Sequence, residues 1–434
     1  MKKVKVSPSF IKGRVSIPGD KSISHRALMF GSIAEGESVI ENLLEGHDCI
    51  ATVQVMRALG VHIALNDGLW IIKGTGTLSE PSSPLDCKNS GTTIRLMSGL
   101  LSAMPFMSIL DGTDQIKTRP MDRVIKPLLA LGAKIYGRAE NRLAPLVILP
   151  SEITGGDCDL VVKSAQVKSA MLLAGLFAKN SVSIKGVGVT RDHTERMLSF
   201  MGADISCEQD RVSIKPLKKP LSPLKFRVPG DISSAAFLLV AASVISPEGV
   251  TLEDVGVNPT RTGIIDALKQ MGAEVILSNQ KMVANEPVAD LFIKSCELKA
   301  AHFSGDHIVR MIDEVPVLAL LCTQANGKTV ISDAEELKVK ESNRIKKTVE
   351  ILQSLGAKIK ETDDGMIIEG PTKLMGGEIS SFGDHRLALM GAIAGLMSKD
   401  PVVISNAEVT DDSYPGFFED LKKLGANIFH GLNQ

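Results

Sequence analysis

The sequence predicts an α/β (α+β) fold in two similar domains, assembled from six repeats of about 70 residues. Three observations predict it. An apolar tail closing on glycine recurs along the chain, a hairpin pattern follows it, and a Pro-Gly-Asp segment occurs twice, at 18–20 and 229–231.

The tail reads RALGVHI, LALGAKI, SFMGADI, KQMGAEV, QSLGAKI and KKLGANI, which sets Gly60, Gly132, Gly202, Gly272, Gly356 and Gly425 in register. Successive glycines lie 72, 70, 70, 84 and 69 residues apart. Each closes an apolar pattern that predicts a helix of three or four turns. Glycine suits the first residue past a helix because it takes positive φ without a Cβ clash.

Behind the glycines, VHIALNDGLWIIKG, ADISCEQDRVSIKP and AKIKETDDGMIIEG each read as strand, turn and strand. The Asp-Gly pairs are hairpin turn chemistry. The sixth repeat has no room for its returning strand after ANIF, whereas VKVSPSFIKGRVSIPG at the start is strand-like and follows no helix. The opening strand is therefore expected to complete the sixth repeat. Residues 1–20 and 231–434 then form one discontinuous domain and 21–230 an inserted one. The crossovers fall near 18–21 and 229–232, at the two Pro-Gly-Asp segments.

Composition narrows the function. The chain has 434 residues, 44% hydrophobic and 23% charged, with a net charge of −1. No global field points to nucleic acid or a membrane, so any anion site must be built locally. Six scattered cysteines with no CxxC pair read as reduced thiols in a cytoplasm. MKKVKVSPSF lacks the apolar core of a signal peptide, and no apolar run reaches the ~18 residues of a membrane span. The chain has no GxxxxGK[ST], no GxGxxG after a strand, no GxSxG and no metal-spaced ligand set. The expectation from these features is a cytoplasmic protein with no metal site of ordinary spacing.

Several short stretches gather charge at expected helix starts. DKSISHR brings Lys21, Ser22 and Arg26, and NSGTTIRL brings Gly91 between hydroxyl residues. KTRPMDRV brings Arg119, KSAQVKSA brings Ser164, Ala165, Gln166 and Lys168, and VTRDHTERML brings Arg191. In the second half, IDEVPVLALL carries Asp313 and Glu314, LKVKESNRI carries Lys340, Glu341 and Arg344, and FGDHRLALM carries Asp384, His385 and Arg386. If helical, Glu341 and Arg344 are i,i+3 neighbours on one face. A helix start favours anions through its free N–H groups and dipole. A near-neutral chain that collects cations there is built to bind a small polyanion in a cleft. Asp313 and Glu341 among those cations suit proton transfer.

PGDKSISHRAL, NSGTTIRL, the Arg-Pro at 119–120, SAQVKSA, the Asp-Glu at 313–314, VKESNRI and DHRLAL occur here in the order seen in the 5-enolpyruvylshikimate-3-phosphate synthases of the enolpyruvyl transferase family. The resemblance runs the full length. It implies two similar domains of three βαβαββ units each, an inside-out α/β barrel arrangement. It implies transfer of the enolpyruvyl group of phosphoenolpyruvate to the 5-hydroxyl of shikimate 3-phosphate through a tetrahedral intermediate, with no metal or organic cofactor, and closure of the two domains on the ligands makes a monomer the expectation. Carried onto this sequence, Lys21, Ser22, Arg26, Ser164, Ala165, Gln166, Arg191, Asp313 and Lys340 would hold shikimate 3-phosphate. Lys21, Gly91, Arg119, Gln166, Arg344 and Arg386 would hold phosphoenolpyruvate. Asp313 would accept the hydroxyl proton, Glu341 would protonate C3, and Lys21 would serve catalysis at both substrates.

The chain departs from the family pattern in places. Ala165 stands where many members have Ser, and Asp412-Ser413 where some have Lys before the last aromatic-Pro. Ala165 and RDHTE resemble the glyphosate-tolerant branch, while Gly91 resembles the sensitive one. Two alternatives remain at this level. One is the sister transferase acting on UDP-N-acetylglucosamine, but its Lys-Asn pair and loop cysteine are absent. The other is a repeat scaffold that only binds anions, which would gain nothing from Asp313 and Glu341.

Overall fold

The structure, a computed structural model, describes residues 2–431. Its strands form six four-stranded sheets of one pattern. In the sheet from the NSGTTIRL region, Leu85–Asp86 pairs parallel to Ser108–Asp111. That strand pairs antiparallel to Leu143–Leu149, which pairs with Lys134–Gly137. The helices Gly91–Ser102 and Asp122–Ala130 supply the connections, so the chain order is βαβαββ.

The recurrent glycines end the second helix of each repeat. Gly60, Gly132, Gly202, Gly272, Gly356 and Gly425 all have φ between 88° and 103°, a region closed to most side chains. These helices are shorter than the apolar spacing predicts. Phe417–Lys423 has 7 residues and His193–Phe200 has 8, while only His47–Ala58 reaches 12. In the first of these, Gly416 at φ 78° stops the helix from extending backward. The Asp67-Gly68 pair turns its hairpin with both residues at positive φ, as its sequence predicts.

Lys3–Ser7 lies antiparallel between Val402–Ser405 and Asn427–His430. It fills the place that the returning hairpin strand fills in the other sheets. Two edge strands are separated from the helices that follow them in the chain. Gly13–Ser16 pairs with Val250–Gly256, and Lys225–Arg227 pairs with Glu35–Glu41.

The chain divides into two compact units. One holds residues up to Pro18, Pro229–Met282 and Pro287 onward; the other holds Gly19–Val228 and Val283–Glu286. The four-residue excursion at 283–286 has no counterpart in the sequence reading. Its Glu286 is buried against His193, Oε1 to Nδ1 at 2.8 Å, inside the second unit. Each unit has its own apolar core.

Three helices in each unit are buried on nearly every side. They are Lys21–Ile33, Gly91–Ser102 and Ala165–Gly175 in the second unit. Their counterparts in the first are Ile232–Ile245, Val315–Cys322 and His385–Met397. They pack backbone to backbone: a β-carbon at Gly99 would stand 2.0 Å from Ala170 O. Most are capped by the residues the motifs supply. Asp20, Ser90, Ser164, Asp231 and Asp384 each accept a first-turn N–H, worth about 1 kcal/mol apiece. Both Pro-Gly-Asp segments thus end in an N-cap. Among the described residues, no helix is long and apolar enough to cross a membrane.

Candidate functional site

In the second unit the expected residues gather at the starts of the buried helices. Lys21 opens its helix with Nζ 2.5 Å from Asp48 Oδ2, on the neighbouring His47–Ala58 helix. Arg26 lies one turn further, only 3% exposed. Its guanidinium donates to Thr194 Oγ1 and Ser169 Oγ, each at 2.7 Å, and to Ser22 O at 2.9 Å. All three partners are neutral. Burial pulls the Arg26 pKa down to about 10, Glu195 and Asp20 oppose this, and the charge of Arg191 adds to it.

Gly91 begins its helix directly after the Ser90 cap. A β-carbon there would lie 2.9 Å from Arg119 Nη1 and 3.2 Å from Arg95 Nη1. Two guanidinium groups are therefore seated against a bare backbone. Gln166 accepts from Arg95 Nη1 at 2.7 Å and donates to Thr92 Oγ1 at 3.0 Å. Ser164 Oγ also caps the Ala165 helix, accepting from Val167 N–H at 3.5 Å. Ala165 is the first residue of that helix.

The carboxylates near Arg191 in the chain also meet other groups. Glu195 pairs with buried Lys168 at 2.5 Å, Asp192 with Arg196 at 2.9 Å, and His193 faces Glu286. Lys168 thus belongs to the interior.

In the first unit the cations meet carboxylates. Arg344 is 1% exposed and opens the Arg344–Ser354 helix. Its Nη1 donates to Asp313 Oδ1 at 3.2 Å, its Nη2 to Glu341 Oε2 at 2.6 Å, and its Nε to Asp384 Oδ2 at 2.9 Å. Lys340 Nζ stands 3.6 Å from Asp313 Oδ1. The Glu341–Arg344 pair forms, though not on a helix face, because the helix begins only at Arg344. The surrounding carboxylates push the Arg344 pKa up despite its burial. Burial lowers that of Lys340, against the pull of Asp313.

Arg386 lies on the neighbouring buried helix, 4% exposed. Its Nη1 donates to Ser233 O at 3.0 Å, while its Nε has no hydrogen-bond partner among the described residues. Ser233 Oγ also meets Glu314 and Arg261. Arg261 in turn donates to Asp231 Oδ1 at 3.1 Å.

Sequence reasoning missed Asp48, Arg95 and Arg261. Arg95 could have been found, since it stands one helical turn after Gly91 within NSGTTIRL and faces the same way. Asp48 and Arg261 lie outside every motif. Among the described residues, no group of three or more His, Cys, Asp or Glu side chains could hold a metal ion.

Chemically, the second unit offers helix starts and, in Arg26, a cation on neutral partners, which suit anionic ligands. The first offers three carboxylates on one guanidinium beside a lysine of lowered pKa, which suits proton transfer.

Known proteins match this chain throughout. Residues 6–421 fit the family model described as EPSP synthase (3-phosphoshikimate 1-carboxyvinyltransferase). The 3-phosphoshikimate 1-carboxyvinyltransferase of Bacillus licheniformis is 49% identical over 427 residues, covering 98% of this chain and 99% of the relative. That of Oceanobacillus iheyensis is 47% identical over 416 residues, covering 95% and 97%. The solved EPSP synthase of Acinetobacter baumannii is 41% identical, with a TM-score of 0.89 over 99% of this chain and 100% of that one.

Proposed function

We propose the following division of labour for a chain that belongs to the EPSP synthase family. The protein transfers the enolpyruvyl group of phosphoenolpyruvate to the 5-hydroxyl of shikimate 3-phosphate and releases phosphate, by addition and elimination. Shikimate 3-phosphate takes Lys21, Ser22, Arg26, Ser164, Ala165, Gln166, Arg191, Asp313 and Lys340. Phosphoenolpyruvate takes Lys21, Gly91, Arg119, Gln166, Arg344 and Arg386. The protein works in the cytoplasm as a monomer.

Asp313 accepts the 5-hydroxyl proton as that oxygen attacks C2 of phosphoenolpyruvate, and Glu341 protonates C3. In the tetrahedral intermediate C3 is a methyl group. Glu341 then takes a proton back from C3, the C2–C3 double bond re-forms, and the C2–O bond to phosphate breaks. The proton held by Asp313 leaves with the phosphate. The observation that carries this reading is the shared guanidinium of Arg344, at 3.2 Å from Asp313 and 2.6 Å from Glu341. It fixes an acceptor and a donor without the tether of a metal. Lys340, with its lowered pKa, can exchange a proton with Asp313.

The test is phosphate release on mixing the protein with both substrates. Lys21→Met is expected to lower turnover by about 10³-fold or more, as loss of a preorganised charge does, with unchanged unfolding behaviour. Absence of phosphate release from the unaltered protein overturns the reading. Near-normal turnover by Lys21→Met overturns the role of that lysine.

A further inference from the structure

The Lys21 helix reaches its neighbour with two residues one turn apart. Lys21 meets Asp48, and His25 meets Thr52: His25 Nδ1 lies 2.7 Å from Thr52 Oγ1. The contact continues. Thr52 Oγ1 is 2.7 Å from Thr93 Oγ1, and the Thr93 hydroxyl donates to Ser90 Oγ at 2.7 Å. Ser90 is the cap of the Gly91 helix, accepting Thr93 N–H at 3.1 Å. His25, Thr52, Thr93 and Ser90 are all 0% exposed.

Isolated polar groups at such depth are costly, whereas a joined chain polarises each member in turn. The direction of this chain follows from its far end. The Thr93 proton goes to Ser90, so the Thr93 oxygen accepts from Thr52 at 2.7 Å, in preference to the 3.4 Å approach of the Thr52 hydroxyl to Asp48 O. Thr52 then accepts from His25, which requires the neutral imidazole to carry its proton on Nδ1. The neutral form is secured by burial, which lowers the His25 pKa to about 3, with Lys21 and Arg26 adding to this and Asp48 opposing it. Nε2 is buried and has no hydrogen-bond partner among the described residues, which suits a bare lone pair better than a second N–H.

We propose that His25 is a positioning residue: through Thr52 and Thr93 it fixes Ser90, and so the start of the Gly91 helix on which the Arg119 and Arg95 guanidiniums are seated. The space there is tight, since a β-carbon at Gly91 would stand 2.9 Å from Arg119 Nη1. A small shift of that helix start alters the guanidinium seat directly. The position 211 residues later, in the second Pro-Gly-Asp segment, is Ala236, so the device belongs to one copy alone. The inference rests on the reading that Gly91 and Arg119 hold phosphoenolpyruvate.

The test uses the full chain and steady-state kinetics in both substrates. Thr52→Val removes the middle hydroxyl without changing shape, and His25→Leu removes the ring nitrogens. Each is expected to raise the phosphoenolpyruvate KM about tenfold, the effect of one broken buried hydrogen bond. kcat and the shikimate 3-phosphate KM should stay within about twofold. His25→Asn, whose amide nitrogen falls where Nδ1 stood, should restore most of the loss. The double variant should be no worse than either single one, because both break the same chain.

The inference is overturned if Thr52→Val leaves the phosphoenolpyruvate KM unchanged, if both substrates weaken equally, or if His25→Asn fails to rescue. Thr52→Val decides alone should His25→Leu fail to fold. Arg119→Ala, measured beside them, separates the premises. If it too leaves that KM unchanged, the phosphoenolpyruvate assignment has failed, and the inference with it.

Discussion

Arg26 and Arg344 are both nearly buried at helix starts, yet they are held in opposite ways. Arg26, in the second unit, rests on two hydroxyls and a carbonyl. Arg344, in the first, rests on three carboxylates. Neutral partners leave a guanidinium its full charge for an incoming anion. Carboxylate partners cancel that charge and are themselves fixed by it. The contrast shows that one residue type, equally buried near a helix start, is set to different uses by what surrounds it.

The largest effect should come from the carboxylate-bound member. Arg344→Met strands Asp384, which is 0% exposed, next to Asp313 and Glu341. Breaking such a pair costs about 3–5 kcal/mol, readable as a lower denaturant midpoint. Arg26→Met strands only hydroxyls and a carbonyl, a cost of about 1–2 kcal/mol. Its larger effect should be on ligand affinity, with the shikimate 3-phosphate KM raised about 100-fold through loss of a charge-assisted contact. If the two variants lose equal stability, the distinction between them is wrong.

The next effect sharpens the contrast by pH. The His25 pKa is about 3 in the folded chain against about 6.5 unfolded. Between those values the unfolded chain binds the proton and the folded chain does not, so stability falls as pH drops through that window. From pH 6.5 to pH 5 the loss is about 1–2 kcal/mol, because the unfolded imidazole is only half protonated at pH 6.5 and the slope approaches 1.36 kcal/mol per unit only below that. Trp70 is the only tryptophan and lies in the second unit, so its fluorescence follows that unit. His25→Asn should flatten the acid dependence of the Trp70 unfolding signal. An identical slope in both proteins would remove His25 from the account.

Much of this architecture is legible in the sequence because the constraints are local. A glycine past a helix end is dictated by its own φ, so Gly60 and its five equivalents announce the repeats before any contact is known. The caps are equally local, which is why Asp20 and Asp231 stand out. Partner choice is not local. Arg95 meets Gln166 across 71 positions, and Arg26 meets Thr194 across 168; no spacing rule connects them. That the Ser164 hydroxyl also serves as a cap is invisible until the helix start is placed. Glu286 sits in an unremarkable hairpin, and only packing reveals what its carboxylate faces.

The smallest effect concerns Gly91, where a bare backbone meets the Arg119 and Arg95 guanidiniums. Alanine suits the first turn of a helix, so the backbone should tolerate the change. The new methyl would instead fall 2.9 Å from Arg119 Nη1 and 3.2 Å from Arg95 Nη1. Both contacts are the far ends of long side chains, which can retreat by a few tenths of an ångström. Gly91→Ala should therefore leave the unfolding midpoint nearly unchanged and raise the phosphoenolpyruvate KM by about three- to tenfold, since a displaced guanidinium loses geometry before it loses charge. The shikimate 3-phosphate KM should hold, because the neutral-partnered Arg26 is bonded elsewhere. Equal weakening of both substrates would mean that the Gly91 helix start serves them jointly, and the separate seats for the two anions would have to be given up.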